Sequence, residues 1–174
     1  MIFGIKNVSI LSDSVTVTGS GTISTYALSG GSNLPTGISL DSLTGVISGT
    51  PTVTYSSTVD TVVATGPGGT GTAIVSITIN TAPTITNNPV TTLGPLNPGT
   101  STGNSGKFGI KATGTPAPTY KWIRTRTSGT DTIANGGTNP VFAGATTDTL
   151  TITAALFVDS LSTFKCLATN AAGS

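Results

Sequence analysis

Leu34-Pro-Thr-Gly-Ile-Ser-Leu-Asp-Ser-Leu-Thr-Gly-Val-Ile-Ser-Gly-Thr-Pro-Thr52 is the most specific string in this chain of 174 residues. Pro35 and Gly37 shape a turn, after which Ile38 and Leu40 alternate with serine and point inward as a short strand. Asp41 through Gly45 predicts a tight turn, with Asp41 bonding the turn backbone through its side chain and Gly45 free to take positive φ. Gly49 and Pro51 end the next strand. These residues direct folding and carry no reactive chemistry.

The same two-residue alternation extends in both directions. Val15–Thr18, Ile74–Ile79, Phe108–Ala112, Thr149–Thr153 and Phe164–Ala168 read as strands. Gly30–Asn33, Gly66–Gly69 and Asn135–Gly137 read as turns. No window sustains a 3.6-residue period, and Ala154–Leu156 has room for at most one helical turn. Composition agrees. Serine and threonine make up about a third of the chain, charged residues only 7%, and mean hydropathy is +0.25. Stiff β-branched side chains suit a pleated surface, so hydroxyls rather than ion pairs solvate an all-β fold. Thr81-Ala-Pro83 interrupts the pattern. We place a boundary there, with one domain over 1–81 and a second over 82–174, and the short junction predicts limited bending between them.

The stretch 34–52, together with Thr61–Thr65 and Ala73–Ile79, resembles the family called putative Ig, cadherin-like sandwiches common in bacterial and viral surface proteins. Ala112-Thr-Gly-Thr-Pro-Ala-Pro-Thr-Tyr-Lys-Trp122, Thr149–Ile152 and Phe164–Ser174 resemble strands B to C, E and F of an intermediate-set immunoglobulin domain. The resemblance implies two tandem Ig-like antiparallel β-sandwiches, the second lacking its last strand within the chain. It also implies a structural core of Trp122, Cys166, Ile110, Phe164 and Leu150. Ile110 would occupy the strand-B cysteine position, leaving Cys166 a buried free thiol. Phe164 would replace the corner tyrosine. After Ser174 a strand should follow to cover strand F, from a continuing chain or from a donor chain.

Chemistry-bearing residues are few. The chain has no His, and its six acids are all Asp, so neither a nucleophile–base pair nor convergent carboxylates can be assembled. Gly-x-Ser-x-Gly is absent, and Gly66–Gly71 lacks the lysine of a phosphate loop. We expect no catalytic residues, no metal site and no cofactor. Asp13, Asp41 and Asp60 are too dispersed for the calcium sites of true cadherins. Lys107, Lys111, Lys121, Arg124 and Arg126 are candidate binding residues for an acidic partner. Their division between strands B and C, which lie in opposite sheets, argues against a nucleic-acid groove. No apolar run is long enough to cross a membrane as a helix. The first residues lack a secretion-signal pattern, which suits a reducing cytoplasm; a processed fragment of an exported protein fits as well.

The function expected is therefore non-enzymatic: a phage capsid-decorating or other virion-surface protein that contacts other structural proteins and, weakly, host-surface glycans. The alternatives are a fragment of a bacterial surface adhesin and a carbohydrate-binding accessory module.

Overall fold

The computed structural model describes residues 1–16, 21–93 and 104–174. It is all-β apart from one 3₁₀ turn. In chain order the strands are β1 (Ile2–Ile5), β2 (Asp13–Ser14), β3 (Thr25–Leu28), β4 (Ile38–Leu40), β5 (Val46–Gly49), β6 (Tyr55–Gly66) and β7 (Gly69–Leu93). There follow β8 (Asn104–Thr115), β9 (Thr119–Arg126), β10 (Gly129–Thr132), β11 (Val141–Ala143), β12 (Thr149–Ala155) and β13 (Thr163–Thr169). The chain forms two compact units, Met1–Thr81 and Ala82–Ser174.

In the first unit, one sheet runs β3-β6-β7 with β1 added parallel to β7, and the other runs β2-β5-β4. Ile2, Ile38, Ile47, Val62, Ile77 and Ile79 fill the space between them. The Asp41–Gly45 turn holds β4 to β5. Asp41 Oδ1 accepts hydrogen bonds from the Leu43 and Thr44 amides, each at 2.8 Å, and the Gly45 amide donates to the Asp41 carbonyl at 2.9 Å. Those two backbone donors hold the Asp41 carboxyl below its ordinary pKa. Gly45 has φ +71°, and a Cβ there would press on the Tyr26 ring. β6 returns into β7 over Pro67-Gly68, with Gly66 opposite Gly69.

In the second unit, β11-β12-β8 and the later part of β7 form one sheet and β10-β9-β13 the other. Phe108, Ile110, Trp122, Ile133, Phe142, Leu150 and Ile152 make the core, with Tyr120, Phe164 and Cys166 packed against it. β13 has β9 on one side and no strand on the other among the described residues.

Three expectations need correction. β7 does not stop near Asn80; it continues to Leu93 and supplies a strand to each unit, beside β6 and then beside β8. Pro83 stands within β7 beside Gly114 of β8, where the glycine leaves room for the ring: a Cβ at Gly114 would come within 3.3 Å of the Pro83 backbone. Val15-Thr16 is not a strand; the short strand there is Asp13–Ser14, and Val17 and Thr18 lie outside the described residues. Ala154–Ala155 ends β12, and the helical turn follows at Phe157–Leu161.

Candidate functional site

Alternation along β9 places Tyr120, Trp122 and Arg124 on the inward side. Trp122 is fully buried and pairs in register with Cys166 of β13. Its indole N–H donates to the Thr147 carbonyl at 2.9 Å, so the one polar atom of the ring is satisfied. Phe164 stacks on Phe108 with centroids 4.7 Å apart and meets Phe142 edge-on at 6.5 Å. Leu150 is 0% exposed and Ile110 is buried beside them. Cys166 is half-buried rather than fully enclosed, because β13 is the outermost strand of its sheet. Burial still pushes its thiol up to about 11, with the Asp148 charge adding to the rise. At neutral pH it is a protonated, poor nucleophile.

The next inward position along β9 after Trp122 is Arg124, and here the basic cluster expected from the sequence divides. Arg124 is only 8% exposed. Its Nε and Nη2 donate to the two carboxylate oxygens of Asp131 at 3.4 and 3.2 Å. Nη1 is 3.8 Å from Asp159 Oδ1, and the guanidinium carbon lies 5.2 Å from the Phe142 ring centre. Asp159 Oδ2 accepts from the Leu156 amide at 3.0 Å, which ties the 3₁₀ turn to the same network. Arg126 reaches Asp131 Oδ1 at 3.0 Å. Burial raises the Asp131 pKa, but the Arg124 hydrogen bond and charge, joined by Arg126, outweigh it and hold the carboxyl below its ordinary value. Arg124 is therefore a structural cation, and Arg126 is partly engaged. Arg124 is not free for an acidic partner, whereas Arg126 keeps 42% of its side chain exposed.

The lysines remain. Lys107 and Lys111 are exposed on the outer side of β8, while Lys121 and Lys165 are exposed on the outer side of β9 and β13. Lys121 is opposite Leu167 and Lys165 opposite Ile123, so the two are diagonal neighbours, about 7 Å apart at the backbone. The fold brings together Lys121 and Lys165 and separates both from Lys107 and Lys111.

The acids of the first unit do not converge. Asp41 is used in its turn. Asp60 is buried, with Oδ1 accepting the Asn33 amide at 3.2 Å. No group of three or more His, Cys, Asp or Glu able to hold a metal occurs among the described residues. No helix there is long and apolar enough to cross a membrane.

No curated protein matches the chain. Among solved structures it is similar to Drosophila OTK extracellular domains 3-5, at 19% identity and TM-score 0.68, covering 98% of this chain and 55% of that one. It is also similar to the titin I-band fragment I67-I69, at 17% identity and TM-score 0.54, covering 98% and 58%. Murine CEACAM1b is similar at 11% identity and TM-score 0.56, covering 97% and 88%. This chain thus spans little more than half the length of the first two. These likenesses establish the immunoglobulin-like fold, and residues 6–80 of the first unit match the family model described as Putative Ig domain.

Proposed function

We propose that this chain is a non-enzymatic structural and interaction protein displayed on the surface of a virion, as a capsid-decorating protein of a phage. The observation that carries the reading is the character of its surface. Two β-sandwiches present wide sheet faces covered by threonine, serine, scattered aliphatics and a few exposed lysines, while Arg124 is committed to Asp131 and Asp159, Asp41 to its turn and Cys166 to the core. Such a surface suits many weak contacts repeated over a lattice and offers no group poised for covalent or acid–base work. The family match over residues 6–80 supports a surface module, since resembling modules occur in bacterial and viral surface proteins. In this reading the partners are other virion proteins. The diagonal Lys121–Lys165 pair supplies a small cationic spot for acidic groups on a host-surface glycan.

The experiment is electron cryomicroscopy of the particle made by the genome that encodes this chain, with the protein identified in it by mass spectrometry. Paired sandwich density at regular positions on the shell is expected. Absence from purified particles, with recovery in a bacterial cell-envelope fraction, would overturn this reading in favour of a surface adhesin.

A further inference from the structure

We propose that the second unit carries a binding site for one neutral sugar ring, in the cavity between the β9–β10 turn and the 3₁₀ turn Phe157–Leu161. The cavity has a volume of about 230 Å³. Arg126, Thr127 and Ser128 line it from the first turn, and Asp159, Leu161 and Ser162 line it from the second turn and its end. Sites that enclose drug-sized ligands run to roughly 300–1,000 Å³, so this one admits a single small ring.

The two turns bring complementary hydrogen-bonding groups to one hollow. Asp159 Oδ2 accepts from the Leu156 amide, but Arg124 approaches Oδ1 only to 3.8 Å, too long for a hydrogen bond, so Oδ1 can accept one from a ligand. Arg126 gives Asp131 a bond from Nη2, and its half-exposed guanidinium has further N–H groups to donate. The Thr127 and Ser128 side chains are exposed hydroxyls that can both donate and accept. Ser162 Oγ is buried without a partner, so a rotamer change that turned it toward a bound hydroxyl would recover a missing bond. Leu161, 77% exposed, supplies an apolar flank for the C–H face of a ring.

Charge selects among ligands. The cations Arg124 and Arg126 are matched by the carboxylates Asp131 and Asp159, so the cluster is balanced. An anion entering the cavity would meet Asp159, and a cation would meet Arg126. A neutral polyol meets neither penalty, and its adjacent hydroxyls fit a wall that offers carboxylate, guanidinium and hydroxyl together. This site goes beyond the cationic Lys121–Lys165 spot, and it holds wherever the chain is displayed.

The test is an amide NMR titration of the whole chain with glucose, galactose and mannose, and with the uronate of each as its charged counterpart. At least one neutral sugar should shift the amides of Thr127, Ser128, Leu161 and Ser162 saturably below about 100 mM, as millimolar affinity for a small ring implies. Arg126→Ala should weaken that binding about tenfold, and Ser128→Ala should weaken it less. Dispersed spectra establish that each variant is folded. Lys121→Ala should leave the binding unchanged, and the uronate should bind more weakly than its neutral sugar. No saturable shift with any of the three sugars, binding indifferent to Arg126→Ala, or tighter binding of the uronate would each overturn the proposal. None of these results bears on whether the chain is found in purified particles, so this site and the virion reading fail separately.

Discussion

Replacing Arg124 with alanine should unfold the second unit much more readily than replacing Arg126, although the two are two residues apart on one strand. Arg124 is 8% exposed and bonds both oxygens of Asp131, approaches Asp159 and covers the Phe142 ring. Removing it leaves the Asp159 carboxylate, only 13% exposed, without its cation. Breaking a buried pair costs about 3–5 kcal/mol. Asp131 is 37% exposed, so water takes over part of its loss and the expected cost falls to about 2–4 kcal/mol. Arg126, with a side chain 42% exposed, makes one contact at the rim, and its loss should cost about 0–1 kcal/mol. The assay is urea unfolding followed by tryptophan fluorescence. Trp122 is the only tryptophan and belongs to the core of the second unit, so the signal reports that unit alone. Equal shifts for the two variants, or a larger one for Arg126→Ala, would refute the assignment of Arg124 as a structural cation.

The Asp131 carboxyl has a depressed pKa in the folded state, so its contribution is present above the unfolded value of 3.8 and is lost as pH falls through the folded value. Acid titration of Trp122 fluorescence should show the second unit losing stability below about pH 4, and Asp131→Asn should flatten that dependence. Cys166 has the opposite sign: its stabilisation is complete below 9.0 and is lost as pH rises through about 11. At pH 8 an alkylating reagent should modify Cys166 far more slowly in the native protein than in urea, which mass spectrometry would follow. Leu150→Ala should destabilise the second unit by about 2–5 kcal/mol in the same fluorescence assay, since the side chain is wholly enclosed. In the first unit, Gly37→Ala should cost about 1–3 kcal/mol by calorimetry, because φ is +91° and the new methyl would meet the Thr50 carbonyl.

Local turn chemistry was the most legible part of this chain. Asp41, Gly45 and the Gly66–Gly69 hairpin are short-range devices whose geometry follows from residue type, and the structure contains each of them. The inward placement of Trp122 follows from parity, and the same parity applied two residues further along would have turned Arg124 inward as well. What the sequence withholds is the source of its counter-charges. Asp131 arrives across a hairpin and Asp159 from a 3₁₀ turn beyond β12, and only the folded arrangement brings them to one guanidinium. Pro83 misleads for a related reason. A proline forbids one donated hydrogen bond but does not by itself end a strand, and β7 passes through it beside Gly114 of β8, a neighbour that residue spacing alone does not reveal.

The account rests on the second unit being an immunoglobulin-like sandwich closed by packing where a bridge could stand. Ile110 of β8 and Cys166 of β13 come from opposite sheets and share one core. The most direct measurement is oxidation of the Ile110→Cys variant, followed by peptide mass mapping and urea unfolding. The account predicts an intrachain bridge between the introduced thiol and Cys166 in the monomer, adding about 2–4 kcal/mol of stability that reductant abolishes. Oxidation that yields only chain-to-chain dimers, or a free thiol at each position in the folded monomer, would contradict it.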